Sequence, residues 1–195
     1  SVTMLGQFED IPLNDGAQPE LSCVLAKLVI GYCSTCRMVQ RIGDLDLSGY
    51  YQGSTYSVVS SPFLSSFMNA VANHIVRLCK AMQHDHIPRV LDIGCNNGEQ
   101  LLAFRELGCD VIGVEPSSSL ATVASSRGLE VHNVAFDSDL AAELLREHGH
   151  LDVVVSTFTL DQIDDPLSFL RGIANVLRPE VGLVVLEVHD IDVTY

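Results

Sequence analysis

RVLDIGCNNGEQLLAFRELGCDVIGVEP, residues Arg89 to Pro116, decides how this chain folds. A short apolar run (Val90, Leu91, Ile93) breaks into Gly94-Cys95-Asn96-Asn97-Gly98 and resumes with Leu101, Leu102, Phe104 and Leu107 at helical spacing. A second apolar run then ends at Glu115-Pro116. The pattern is strand, glycine turn, helix, strand, acid. Gly94 and Gly98 let the backbone turn tightly and approach a ligand, and asparagine tolerates left-handed angles better than most residues. The helix after the turn points free N–H groups back at it. Glu115, 23 positions after Asp92 (92 to 115), ends the second strand, where a carboxylate can accept both hydroxyl protons of a ribose. Its charge argues against a 2′-phosphate.

A dinucleotide fingerprint would place glycines at 94, 96 and 99, but Asn96 and Glu99 stand there, which disfavours a dinucleotide oxidoreductase. The spacing Asp92-x-Gly94-x-Asn96-x-Gly98 instead resembles the first motif of class I S-adenosylmethionine-dependent methyltransferases, with Asn96 in the middle glycine place. The resemblance implies that the strand-end acid and the loop backbone hold the methionine end of the cofactor, cationic at its amine and sulfonium. A ligand-free turn that merely needs glycines would leave Asp92 and Glu115 unexplained.

The 195 residues suffice for one full domain and a small appendage, and a hydrophobic content of 47% is ample for a packed core. No apolar run reaches membrane-span length and no signal-peptide pattern opens the chain, so the expected compartment is the cytosol, with no membrane partner. Six cysteines in that setting read as thiols or metal ligands rather than a disulfide framework. The net charge of −14 opposes nucleic-acid binding, and with no tryptophan and 6% aromatic residues there is little stacking platform. A small-molecule substrate is the remaining class.

Residues 1–60 read as a small irregular unit with short strand-like runs such as Leu25 to Ile30, and residues 61–195 as the main domain. Cys33 and Cys36 have the spacing that places two thiolates on one zinc ion, and Cys23 is the nearest third candidate. The plain alternative is a pair of structural thiols in a turn. The segment Leu28 to Gln40, with Tyr51-Gln52-Gly53-Ser54-Thr55-Tyr56-Ser57, resembles the second half of the zinc-binding region that precedes the methyltransferase domain in sugar C-methyltransferases. That family carries a first C-x-x-C about where this chain begins. The expectation is therefore a fragment, or a structural zinc site that has lost half its ligands.

Downstream, a helix is predicted from Pro62 to about Met82 and a strand at 89–93. Helices over 117–127, 137–148 and 165–177 then alternate with strands over 129–134, 151–156 and 181–188. Such alternation implies an α/β Rossmann-like, doubly wound parallel sheet of five strands with helices on both faces and ligands at the carboxyl ends of the strands. His74 and the His84-Asp85-His86 group are expected at the surface or in a solvated loop.

The candidate cofactor residues are Asp92, Gly94, Cys95, Asn96, Gly98, Glu115 and Pro116, with two further turns. In Ala135-Phe136-Asp137, Phe136 could cover an adenine ring and Asp137 recognise its amino group, or Asp137 could cap a helix. In Ser156 to Gln162, Thr157 and Phe158 face the methyl group; the resemblance sets them against two asparagines, and Gln162 against a histidine. Gln162 cannot act as a base. His189 is then the candidate catalytic base, with Asp161 and Asp190 weaker.

The resemblance implies methyl transfer from S-adenosylmethionine to a small molecule, in its closest form C-methylation of a nucleotide-activated keto-sugar or related natural-product intermediate. O- or N-methylation of a small metabolite and a degenerate, non-catalytic module within a larger assembly are the alternatives. The family core carries two further strands, so a bare sheet edge is expected to be covered by self-association or a missing domain.

Overall fold

The computed structural model describes residues 2–13, 24–43, 62–82 and 86–189. They belong to two compact units, 1–56 and 57–195.

The described residues of the first unit form a three-stranded antiparallel sheet: β1 (Val2–Leu13), β2 (Val24–Cys33) and β3 (Val39–Arg41), in that order. This corrects the expectation of an irregular unit. Register shifts between Met4 and Gly6 and between Phe8 and Ile11 break the period-two alternation by which a strand is recognised, so a long strand reads as fragments. Between β2 and β3 the chain turns through Ser34-Thr35-Cys36, with the Arg37 N–H on the Cys33 carbonyl at 2.8 Å. Arg37 takes a positive φ of 62°.

The second unit opens with α1 (Pro62–Ala81), then β4 (Arg89–Ile93), α2 (Glu99–Glu106), β5 (Asp110–Val114) and α3 (Ser118–Ser126). It continues with β6 (Glu130–His132), α4 (Ser138–His148), β7 (Val153–Thr157), a 3₁₀ turn at Leu160–Gln162, α5 (Pro166–Val176) and β8 (Leu183–Glu187). The five strands are parallel in the order β6-β5-β4-β7-β8. The chain winds outward from β4 to β6 and then returns to β7, so strand order reverses between β4 and β7. At that reversal two consecutive crossovers diverge and leave a crevice.

The central strands are apolar at successive positions because both faces are covered. Val90, Val153 and Val155 pack with Ile75, Val76 and Cys79 of α1 and with Leu101 and Phe104 of α2. Leu91, Ile93 and Val154 point the other way, into Leu140 and Leu144 of α4 and Phe169, Ile173 and Val176 of α5. His74 is exposed, as expected. Of the His84-Asp85-His86 group only His86 is among the described residues. None of the described helices is long and apolar enough to cross a membrane.

Asp152, 1% exposed at the foot of β7, ties the base of the sheet together. Its carboxylate accepts the Arg89 N–H at 2.9 Å, the Arg178 Nε–H at 2.7 Å and the His86 ring nitrogen at 2.9 Å. Burial pushes this carboxyl up, but the three donors outweigh it and hold it below its ordinary value of 3.8. A carboxyl depressed on folding stabilises at pH values above its unfolded value, and that contribution disappears as pH falls through the folded one. We expect Asp152→Asn to lower stability by about 2 kcal/mol at neutral pH in urea unfolding. The difference from the parent chain should shrink below pH 3.8; a gap unchanged down to pH 2 would contradict the assignment.

Candidate functional site

The crevice at the strand reversal is built by the turn after β4. The Gly94 and Cys95 N–H groups both donate to the Val114 carbonyl, at 2.8 and 3.1 Å, which fixes this turn to the end of β5. Gly94 has φ +81°, and a Cβ there would lie 2.2 Å from Thr159 Oγ1, so only glycine fits. Asn96, at φ 53°, takes the left-handed step expected of it, and its side-chain oxygen accepts the Asn97 N–H at 2.9 Å. Gly98, at φ +84°, opens α2; a Cβ would strike Leu129 Cδ1 at 2.4 Å.

Glu115 lies under this turn, 6% exposed. One carboxylate oxygen accepts the Asn96 N–H at 2.9 Å and the other the Ser117 N–H at 2.8 Å. The acid thus holds the two βα turns of the crevice in mutual register. Asn133 reaches over from the end of β6 and donates its amide to the Glu115 and Pro116 carbonyls at 2.8 and 3.1 Å. Ser117 and Asn133 carry no motif signal, because their roles depend on where β6 ends.

Asp92 is 3% exposed and accepts no hydrogen bond among the described residues. Burial, then repulsion from Glu115, pushes its carboxyl from 3.8 up to about 7. Glu115 is also raised, by burial, against the pull of its two backbone donors. The Cys95 thiol is pushed well above its ordinary range by burial and by both acids. Its sulfur packs toward Gly113, so Cys95 offers the crevice its backbone only. Beneath this turn, therefore, stand two buried carboxyls, Asp92 and Glu115, close enough to repel one another.

The far wall comes from β7 and β8. Thr159 donates its hydroxyl to the Ile93 and Thr157 carbonyls at 3.3 and 3.2 Å, and Ser156 donates to Ile93 at 3.0 Å. Thr157 pairs with Glu187 at the strand ends. Phe158, at φ 53° and 41% exposed, donates its N–H to the Glu187 carbonyl at 2.8 Å. Its ring lies against the His189 ring, centroids 4.5 Å apart. His189 Nδ1 is hydrogen-bonded to the Asp161 carboxylate. Sequence reasoning named His189 and Asp161 separately; their pairing depends on the 3₁₀ turn after β7 and could not be read from spacing. Gln162 donates to the Phe158 carbonyl at 2.7 Å and braces this turn.

The turn after β6 behaves differently. Asp137 accepts the Asp139 and Leu140 N–H groups at 3.0 and 2.8 Å, so it is the N-cap of α4, one of its two expected roles. The Phe136 ring meets Phe169 edge-on, centroids 5.5 Å apart, and approaches Gly172 of α5. One edge of this half-buried ring thus packs on the core through the gap that a glycine leaves in α5.

In the other unit, Cys33 and Cys36 lie on one turn. Backbone N–H groups of Cys36 and Thr35, with the Cys36 side chain, hold the Cys33 thiol below its ordinary value. No third metal-ligand side chain joins the pair among the described residues, and Cys23 lies outside them. These residues fit half of a tetrahedral zinc site.

The Asp92 environment makes stability depend on pH. Unfolded, this carboxyl ionises near 3.8; folded, it keeps its proton to about 7. The folded state thus binds the extra proton in this window, and stability falls as pH rises through it, at most by about 1.4 kcal/mol per unit. Asp92→Asn should flatten that slope and raise the urea midpoint of the ligand-free chain at pH 8; an unchanged midpoint would refute the buried-acid assignment.

Residues 54–194 match a family model described as a methyltransferase domain. The chain is 34% identical over 99 residues to the C-methyltransferase NovU of Streptomyces niveus, covering 51% of this chain and 23% of that protein. It is 36% identical over 104 residues to the ubiquinone biosynthesis O-methyltransferase of Ralstonia nicotianae, covering 52% and 43%. The chain thus spans less than half the length of these curated relatives. Among solved structures, the plantazolicin methyltransferase BpumL in complex with a pentazolic desmethylPZN analog and S-adenosylhomocysteine superposes with a TM-score of 0.52 at 17% identity, over 65% of this chain and 48% of that one. Streptomyces venezuelae DesVI does so with a TM-score of 0.50 at 26% identity, over 66% and 53%. Sequence motif, strand order and family match agree: the chain belongs to the methyltransferase domain family, with the Rossmann-like fold of class I S-adenosylmethionine-dependent methyltransferases.

Proposed function

We propose that this chain binds S-adenosylmethionine in the crevice between β4 and β7 and transfers its methyl group to a small-molecule acceptor. The observation that carries the reading is the buried, acidic floor beneath the Gly94–Gly98 turn. Asp92 has no protein donor among the described residues, and its neighbour Glu115 adds to the negative field. An anionic ligand would be repelled there, whereas one carrying an amine and a sulfonium relieves both the desolvation and the repulsion. The residues present therefore fit the cofactor. Asp92, Gly94, the Cys95 backbone, Asn96 and Gly98 would hold its methionine end, and Glu115 and Pro116 its ribose. Bound there, the cofactor supplies an electrophilic methyl group on a good leaving group.

The chain's own contribution is positioning and proton removal. Asp161 fixes Nδ1 of His189, which leaves Nε2 as the nitrogen that accepts a proton, and the Phe158 ring packs on the imidazole at a tilt of 31°. Carbon next to a carbonyl must lose a proton to become a nucleophile. This base therefore favours C-methylation, in the closest case of a nucleotide-activated keto-sugar or a related natural-product intermediate. It could also deprotonate a hydroxyl, so O-methylation is the second reading; a free amine needs no such base. The similarity to NovU, a C-methyltransferase by name, supports the first. In the N-terminal unit, Cys33 and Cys36 supply two ligands of a structural zinc.

Calorimetric titration with S-adenosylmethionine and S-adenosylhomocysteine, with NAD as control, tests the reading. We expect micromolar binding of the first two, lost in Glu115→Ala; no binding, or binding indifferent to that change, would overturn it. With a nucleotide-linked keto-sugar as acceptor, His189→Gln and Asp161→Asn should leave cofactor binding intact and slow turnover, the former about 100-fold or more. Full turnover in His189→Gln would remove the base assignment alone.

A further inference from the structure

We propose that Glu130, His132 and His148 form a zinc site, separate from the methyl-transfer reading and from the Cys33–Cys36 pair, that staples strand β6 to the last turn of α4. Glu130 and His132 are two residues apart in β6 and so project from the same face of the strand, while His148 closes α4. The ligand atoms of all three lie within 4.8 Å of one another. His148 Nε2 is 3.2 Å from Glu130 Oε1, and His132 Nε2 is 3.8 Å from the same oxygen. Metal–ligand bonds of about 2.1 Å set a tetrahedral edge of about 3.4 Å, which these two separations bracket. Two of the three ligand separations are thus close to those around a bound ion before any ion arrives.

The second observation is independent of spacing. Both Nε2 atoms are buried and have no hydrogen-bond partner among the described residues. A buried polar atom without an aligned hydrogen bond is expensive, and here two approach one carboxylate oxygen without making one. One divalent ion satisfies both lone pairs together and offsets the Glu130 charge. Two imidazoles and a carboxylate suit zinc, and disfavour magnesium or calcium, which prefer all-oxygen shells. Three protein ligands leave a fourth position for water. The Glu130 side chain is 52% exposed against about a fifth for each histidine, so the carboxylate is the side from which an ion enters.

The site has mechanical meaning. Strand β6 is three residues long and, among the described residues, lies at the sheet edge and pairs only with β5. An ion bridging it to His148 closes the β6–α4 segment into a loop and adds a constraint that the few ladder hydrogen bonds do not provide.

The test uses the full chain with Cys33→Ser and Cys36→Ser, stripped with a chelator and titrated with zinc chloride by calorimetry and with cobalt chloride by visible absorption. We expect one zinc per chain, the intense d–d bands of four-coordinate cobalt(II), and slower amide exchange in β6 and the last turn of α4 when zinc is bound. His148→Gln and Glu130→Gln, each checked for native circular dichroism, should weaken zinc at least about tenfold. Absence of saturable binding, the faint spectrum of six-coordinate cobalt, or variants that bind zinc as tightly as the parent would each overturn the proposal.

Discussion

The hydrogen bonds from the Asn96 and Ser117 backbones to the Glu115 carboxylate are what the rest of the crevice depends on. Two parallel strands deliver the chain to the same edge of the sheet, and each must reverse into a helix there. The acid at the end of β5 accepts the Asn96 N–H of one turn and the Ser117 N–H of the other, and so ties the two together. Because Glu115 is buried, these bonds act in a medium of low polarisability and are strong. The same burial makes the second acid, Asp92, costly to ionise. A fold that tolerates two buried acids side by side gives up stability at neutral pH, and it recovers that stability when a cation occupies the crevice.

Much of this was legible from residues 89–116, because strand, turn, helix and strand each carry a local signal there: apolar pairs, two glycines, a 3.6 period and a terminal acid. The five-strand order follows from βα alternation and the handedness of crossovers. Element ends were harder. The strand expected over 129–134 spans only Glu130–His132, since Asn133 leaves the ladder to bind the turn after β5.

What escaped the sequence shares one physical character: it is set by contacts between distant segments. Asp161 and His189 meet only because β7 and β8 are neighbours and a 3₁₀ turn brings the acid back across them. The packing of Phe136 on Gly172, 36 positions later (136 to 172), likewise depends on α5 lying beside the turn after β6. The N-terminal sheet was missed for a different reason: bulges in β1 move successive side chains out of step, so the pattern that marks a strand is present only in pieces.

The hydroxyl of Thr159 fills the space where a Cβ on residue 94 would stand, and Cys95 and Leu101 together fill the space a Cβ on residue 113 would take. Each glycine is thus one half of a matched volume whose other half lies on a different element. Such volumes constrain how the sequence can drift. A larger residue at 113 becomes acceptable only after Cys95 or Leu101 has shrunk, and the shrunken partner alone leaves a void, so both orders of change pass through a worse protein. At 94 the positive φ excludes a side chain whatever stands at 159, so descent within this fold should hold 94 as glycine and let 113 vary only together with 95 and 101.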